Sequence, residues 1–437
     1  MTRTCIAIFV LCAASVCASA QESDPAIVRY VNSVKAIDNH SHITALDRDS
    51  DKGYDQLRCN NLPPATGLPA VGFRFSAGQQ AAYKTLYGLD VKTGSDDELK
   101  KVAALEIAAR RGHGEGFYAW IMEKAGLETV LANRTTMAAE MHAPQIRWVP
   151  YEDAFLFPLD NSHAKAVNPD RRALFGMAEE LFHTYLRDAG MSRIPATLDL
   201  YVDKVVRATL QKQKTAGAIA VKFEAAYLRA LDFAAASNEE SSRVYAKYAA
   251  DGNPTSAEYK TLQDYLFKQI ALEAGRLGLA VHIHTGTGCG EFFEDSGADA
   301  MLLSPTFNDP DLRKTNFVVL HGNSPKERVV SALIAKPNVF TDFSVMEFTW
   351  SPAELARILR PWLETMPEHL MFGSDAGPVG PGFDWEESIL IASQNARRAL
   401  SLALSGMVRD GTITQDRAKE IAQKVLRGNA AQLYGIN

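Results

Sequence analysis

Short β-rich apolar runs alternate with long helical stretches along this chain, and that alternation limits what it can fold into. The runs are Val34 to Asp38, Thr129 to Ala132, Ile146 to Pro150, Ala218 to Phe223, Leu279 to His284, Phe317 to Leu320, Val339 to Phe343 and Leu370 to Phe372. Strands separated by helices make βα units, and such units build a parallel sheet because parallel neighbours need a long crossover. Eight units in 437 residues predict an α/β fold, a closed (β/α)8 TIM barrel whose site lies at the C-terminal ends of its strands. Hydrophobic residues at 46% supply a full core, which excludes disorder, collagen and a polytopic membrane protein. A net charge of -6 with no basic run excludes a nucleic-acid partner, so a small-molecule substrate is expected, with homo-oligomerisation left open.

The spacing of the runs is uneven. About 90 residues separate strands one and two, far more than a helix and two turns need. Helical insertions are therefore predicted after strands 1 and 4, at about residues 44–125 and 225–265. The first contains helices over Leu99 to Arg111 and Gly116 to Lys124, and the second is polar at its centre from Ser237 to Thr255. Both leave strand C-terminal ends and are expected over the mouth as lids or substrate walls. No internal repeat or low-complexity linker divides the chain, so residues 21–437 read as one domain.

Residues 1–20 read as a cleaved signal peptide: Arg3, the apolar run Ile6 to Val16, then Ala18-Ser19-Ala20 before a polar stretch. The apolar run is shorter than the roughly 20 residues that span a bilayer, so no membrane span is expected after cleavage. The mature chain is expected in the periplasm or outside the cell. Cleavage removes Cys5, Cys12 and Cys17, leaving Cys59 and Cys289 in an oxidising compartment. Cys59 lies in the first insertion and Cys289 in the loop after His284, so a disulfide between them would pin the lid across the mouth; two lone thiols are the alternative.

Asp38-Asn39-His40-Ser41-His42 ends the first strand. In an extended chain residues i and i+2 share a side, so His40 and His42 project together as paired imidazole ligands for a divalent metal. Strand five ends His282-Ile283-His284-Thr285-Gly286, strand six Leu320-His321-Gly322 and strand eight Gly373-Ser374-Asp375. Five of the ten histidines thus lie at strand ends. The others read as surface or packing residues.

These ordered motifs, from Asp38 to Asp375, resemble the amidohydrolase superfamily, in its amidohydrolase-related branch of metal-dependent hydrolases and decarboxylases. The resemblance implies that His40, His42, His284 and Asp375 bind the metal, with His321 a further ligand or a catalytic acid/base. The chemistry fits these residue types: a zinc-type ion lowers the pKa of bound water from about 15.7 to about 7. Asp375 would take that water's proton, and His321 would polarise a carbonyl. Lys222 decides the metal count. In one superfamily subtype a lysine here is carboxylated and bridges two ions; in the amidohydrolase-related branch one ion is usual and the lysine faces a substrate carboxylate. One Zn2+ per chain, with Lys222 in the pocket, is the reading adopted. His282 would be a hydrogen-bond partner behind the ligands or a satisfied core histidine, and Glu224, Tyr227 and Tyr151 would line the site, with Glu347 a weaker candidate for its wall. The expected activity is hydrolysis of a small amide, lactone or ester, with non-oxidative decarboxylation as the alternative.

Overall fold

The computed structural model describes residues 23–437 except 49, 52, 59–61, 63–75, 142–143, 168 and 380–381. The leader expected over residues 1–20 therefore lies outside the described residues, as does Cys59. A strand forms at each of the eight apolar runs: β1 (Ala36–Ser41), β2 (Leu127–Asn133), β3 (Ile146–Val149), β4 (Ala220–Phe223), β5 (Ala280–Ile283), β6 (Phe317–Val319), β7 (Val339–Asp342) and β8 (Leu370–Met371). They make two parallel sheets, β1-β2-β3 and β4 to β8 in order.

The two sheets meet at both ends of the strand order. Trp148 bridges Ala218 and Tyr151 bridges Lys222 between β3 and β4, and Ser41 bridges Ala376 just beyond β8. The Lys222 N–H donates to Pro150 O at 2.8 Å at one seam and the Asn39 N–H to Phe372 O at 3.0 Å at the other. Edge groups that would otherwise be left unpaired are thus satisfied. One buried apolar layer draws on Ile37, Leu131, Val149, Ala220, Ala280, Val318 and Met371, with Phe340 partly buried against it, so every strand contributes. Ala430, Leu433, Tyr434 and Ile436 from the C-terminal segment pack on the same layer.

Helices flank the strands. In α1 (Pro25–Ser33) the Asp24 carboxylate accepts from the first free N–H groups and Pro25 starts the first turn, where its missing donor costs nothing. The stretch between β1 and β2 holds α2 (Ala77–Tyr87), α3 (Asp96–His113) and α4 (Phe117–Ala125). The sequence predicts α3 and α4 within a few residues. It does not predict α2, whose buried face of Gln79, Ala82, Tyr83 and Leu86 makes a weak apolar stripe. Ser95 caps α3, acids at 96–98 and Arg110, Arg111 and His113 at its other end complement the helix dipole.

Between β4 and β5 lie helices Asn238–Tyr248 and Ser256–Leu277, each opened by a capping box, Ser237 with Glu240 and Thr255 with Glu258. A third helical stretch, between β3 and β4, includes Pro169–Asp188 and was not singled out from the sequence. Among the described residues no helix is long and apolar enough to cross a membrane.

Candidate metal centre at the strand ends

The β1 register against β2 shifts between Asp38 and Ser41. Such an irregularity re-aims side chains, so the simple two-residue alternation does not describe this strand end. His40 and His42 nevertheless converge: their Nε2 atoms lie 2.9 and 3.2 Å from Asp375 Oδ1. Asp375 is held in place through its backbone, whose N–H donates to His40 O at 2.8 Å. Ser374 donates to the Asp38 carboxylate from its N–H at 2.8 Å and from its Oγ at 2.6 Å. The first and last motifs of the sequence are thereby tied together. One ligand atom each from His40, His42 and Asp375 lies within 4.8 Å of the others.

The electrostatics suit a divalent ion. His40 is fully buried; that burial, followed by the charge of Lys222, holds its pKa well below the usual imidazole value, so it is neutral. Its Nδ1 lies 2.6 Å from the Asn133 amide, whose Oδ1 is otherwise without a partner. With that oxygen turned to Nδ1–H the Nε2 lone pair is presented to the centre, the usual arrangement behind a metal-bound imidazole. Burial pulls the His42 pKa down, but Asp55 and Asp375 outweigh it and raise the value; that extra proton is one a bound cation displaces. For Asp375 burial acts upward, yet His321, His40 and His42 prevail and hold the carboxyl well below its ordinary range. Its side chain keeps 22% exposure, the most open member of the three. Imidazole nitrogens and an ionised carboxylate are the donor set of zinc-type ions.

The other expected residues gather around this trio in distinct places. His284 Nδ1 lies 3.0 Å from His321 Nε2, and His321 Nδ1 lies 2.9 Å from Ser344 Oγ. His284 is not in the group of converging ligand atoms, and its buried Nε2 has no partner. Lys222 is fully buried with Nζ 3.2 Å from His40 Nε2 and 3.9 Å from Glu224 Oε1. Tyr151 Oη lies 3.2 Å from His42 Nδ1, and the Tyr227 ring centre lies 4.7 Å from that of His284. His282 sits apart from the trio, its Nε2 2.7 Å from Tyr434 Oη, which in turn donates to Asn39 Oδ1. Glu347 is buried with both carboxyl oxygens unpartnered. Cys289 is disulfide-bonded.

Backbone strain concentrates here. Among the described residues the non-glycine residues with positive φ are His321, Asn323, Val345 and Asp375, all just after β6, β7 and β8. The αL region is costly for such residues and persists where surroundings impose it, often at functional sites. Two motif glycines have packing reasons. A Cβ on Gly286, at φ +75°, would meet Ser324 O at 2.2 Å, and one on Gly322, at φ +53°, would meet the Trp362 ring at 2.5 Å.

Four contributors were not read from the sequence. Asn133 closes β2, Asp342 closes β7 and Ser344 follows it, and Asp342 accepts from the His321 N–H at 2.9 Å and from Ser344 Oγ at 2.8 Å. A polar residue ending an apolar run was the available signal for Asn133 and Asp342. Asp55, whose Oδ2 lies 3.6 Å from His42 Nδ1, comes from the long stretch after β1 and carries no local signature.

Comparison with known proteins agrees with this architecture. The chain superposes on a protein described as a metal-dependent hydrolase from Lactobacillus casei, at 15% identity and TM-score 0.63, covering 94% of this chain and 97% of that one. A glucuronate isomerase from Caulobacter crescentus gives 14% identity and TM-score 0.59 over 95% and 96% of the two chains. A uronate isomerase from Thermotoga maritima gives 13% and 0.55 over 95% and 98%. These likenesses concern the fold. No curated protein matches the sequence significantly. The family model for amidohydrolases matches residues 152–436, most of the chain, and the chain belongs to the amidohydrolase family.

Proposed function

We propose that this amidohydrolase is a metal-dependent hydrolase of a small amide, lactone or ester, with one zinc-type ion held by His40, His42 and Asp375 at the mouth of a (β/α)8 barrel. The reading rests on one observation above all: two imidazole Nε2 atoms converge within 2.9 and 3.2 Å of one carboxylate oxygen that stays ionised and partly open. The barrel reading draws on the bridges at both seams. An ion bound there supplies Lewis acidity and lowers the pKa of water to about 7.

The remaining work falls to the chain's own side chains. Asp375, ionised and the most open of the trio, accepts a proton from the attacking water and returns it to the leaving group. His321 has both ring nitrogens engaged, by His284 and Ser344, so it orients His284 and leaves the buried His284 Nε2 to meet the substrate carbonyl. Lys222 holds positive charge beside His40 without facing solvent. That buried ammonium also supports the second reading, a non-oxidative decarboxylase that takes a substrate carboxylate. We further propose that cleavage after Ala20 exports the chain to the periplasm or beyond, which a mature N-terminus at Gln21 in mass spectrometry would test.

The zinc-reconstituted protein assayed on acyl amides, lactones and esters should release acid, and Asp375→Asn should not. Because the fold relatives include sugar-acid isomerases, uronates belong on the panel beside carboxylated aromatics. Carbon dioxide release or uronate isomerisation without acid release would overturn the hydrolase reading.

A further inference from the structure

We infer that Asp55 and Glu224, beside the Nδ1–H edge of His42, form a subsite for an ammonium group, so that the substrate of the proposed hydrolase is an amino-acyl compound with a free amine. The inference rests on the hydrolase reading and adds the substrate class. One ligand atom from each of the three residues lies within 4.8 Å of the others. Glu224 is 4% exposed, yet its Oε2 has no hydrogen-bond partner. Its backbone is fixed, since the Glu224 N–H donates to both Asp153 carboxylate oxygens at 2.8 and 2.9 Å. The carboxyl therefore stands in place with an empty acceptor.

Lys222 does not fill it. That ammonium lies 3.9 Å from the other oxygen, Oε1, and closer, at 3.2 Å, to His40 Nε2. Positive charge thus converges on His40, while acceptors lie on the far edge of His42. A substrate with its carbonyl towards Asp375 and His284 can place an amine against Asp55, Glu224 and Tyr151.

A second metal ion would fit this group less well. His42 Nε2 faces Asp375 in the first site, 3.2 Å away, so a second ion would need the ring stripped to imidazolate to bind through Nδ1. An ammonium carries three donors and needs only acceptors, which the two carboxylates and the Tyr151 oxygen supply.

The test uses three hydroxamates that share a metal-chelating head and differ in one tail group: β-alanine hydroxamate, butyrohydroxamate and succinic monohydroxamate. Calorimetry on the zinc-loaded full chain should find the amine tightest, by about tenfold over butyrohydroxamate, the scale of one charged hydrogen bond. Glu224→Gln and Asp55→Asn should each erase that preference while keeping butyrohydroxamate affinity, which also shows that the variants are folded. Equal affinities, or a preference for the succinic tail, would overturn the ammonium subsite and leave the metal reading standing. No binding by any of the three would overturn both. Two zinc ions per chain, falling to one in Glu224→Gln, would replace the ammonium with a cation and overturn the inference.

Discussion

Two buried clusters of charge follow the strand ends, and they are built on opposite plans. The first surrounds His40, His42 and Asp375. The second joins Arg110 and Glu106 of α3 to Asp384, Glu386 and Glu387 at the start of the helix Trp385–Arg409, with Arg48 and Tyr87 at its rim. In the second cluster the Arg110 guanidinium grips Glu386 at 3.0 and 2.6 Å and also donates to Ala45 O and Thr44 Oγ1. Asp384 and Glu387 complete a capping box. Nearly every donor there has an acceptor, so this cluster fastens the stretch after β1 onto the segment after β8. In the first cluster the ligand atoms converge on a common point, and His284 Nε2 and Glu224 Oε2 stay unpartnered. Burial and charge are common to both. Glu106 Oε1 is an unpartnered acceptor in the second cluster too, so what sets the proposed chemical site apart is the convergence of its ligand atoms on one point, and what sets the structural one apart is the pairing of its cationic donors.

If that contrast is right, the largest effect comes from the smallest change at the open cluster. Asp375→Asn should reduce turnover to background and release the metal, while the melting temperature of the metal-free protein stays close to that of metal-free wild type; calorimetry and a turnover assay check both halves. A large loss of apo stability would mean Asp375 is structural. Next comes the closed cluster. Arg110→Ala strands buried carboxylates and should cost about 3–5 kcal/mol in denaturant unfolding, the range for breaking one side of a buried pair. The zinc content of the protein that remains folded should be unchanged. If Arg110→Ala empties the metal site instead, the two clusters are not separable.

Legibility in the sequence follows the same divide. The strand ends with His40, His42, His284, His321 and Asp375 could be read because each is a local signature, an apolar run closed by a ligand-type side chain. The eight strands themselves were readable for the same reason, although β1 runs three residues further than its apolar stretch, since Asn39, His40 and Ser41 are drawn inward by long-range partners. The closed cluster was not readable. Arg110 and Glu386 are 276 residues apart, and nothing beside either residue announces the other. Asp55 was hidden likewise, because its role depends on how a long stretch without regular pattern folds back onto His42. Pairing across sequence distance is set by tertiary packing, which local periodicity does not encode.

A smaller, pH-dependent effect sharpens the comparison. Burial, and then the charges of Glu386 and Asp384, push the Glu106 carboxyl up to about 8 from an ordinary 4.5. The folded state therefore holds this proton more tightly than the unfolded chain does. The stability it contributes is fully present below about pH 4.5 and is lost as pH rises through about 8. Glu106→Gln should flatten the decline of melting temperature across that window, and an unchanged slope would show that Glu106 does not carry the proton. Smallest of all, Tyr434→Phe removes the bonds to His282 and to Asn39 and should cost about 2 kcal/mol, two typical net hydrogen bonds. Zinc binding should be untouched, because His282 does not contact the ligand trio.

The most direct test of the central claim is metal content per chain, measured on protein stripped of metal and reconstituted with zinc, for wild type beside Asp375→Asn. One tightly held ion in wild type and none in the variant is the expected result. Wild-type protein that holds no divalent ion after reconstitution, or a variant that holds it equally well, would contradict the assignment of His40, His42 and Asp375 as the metal centre.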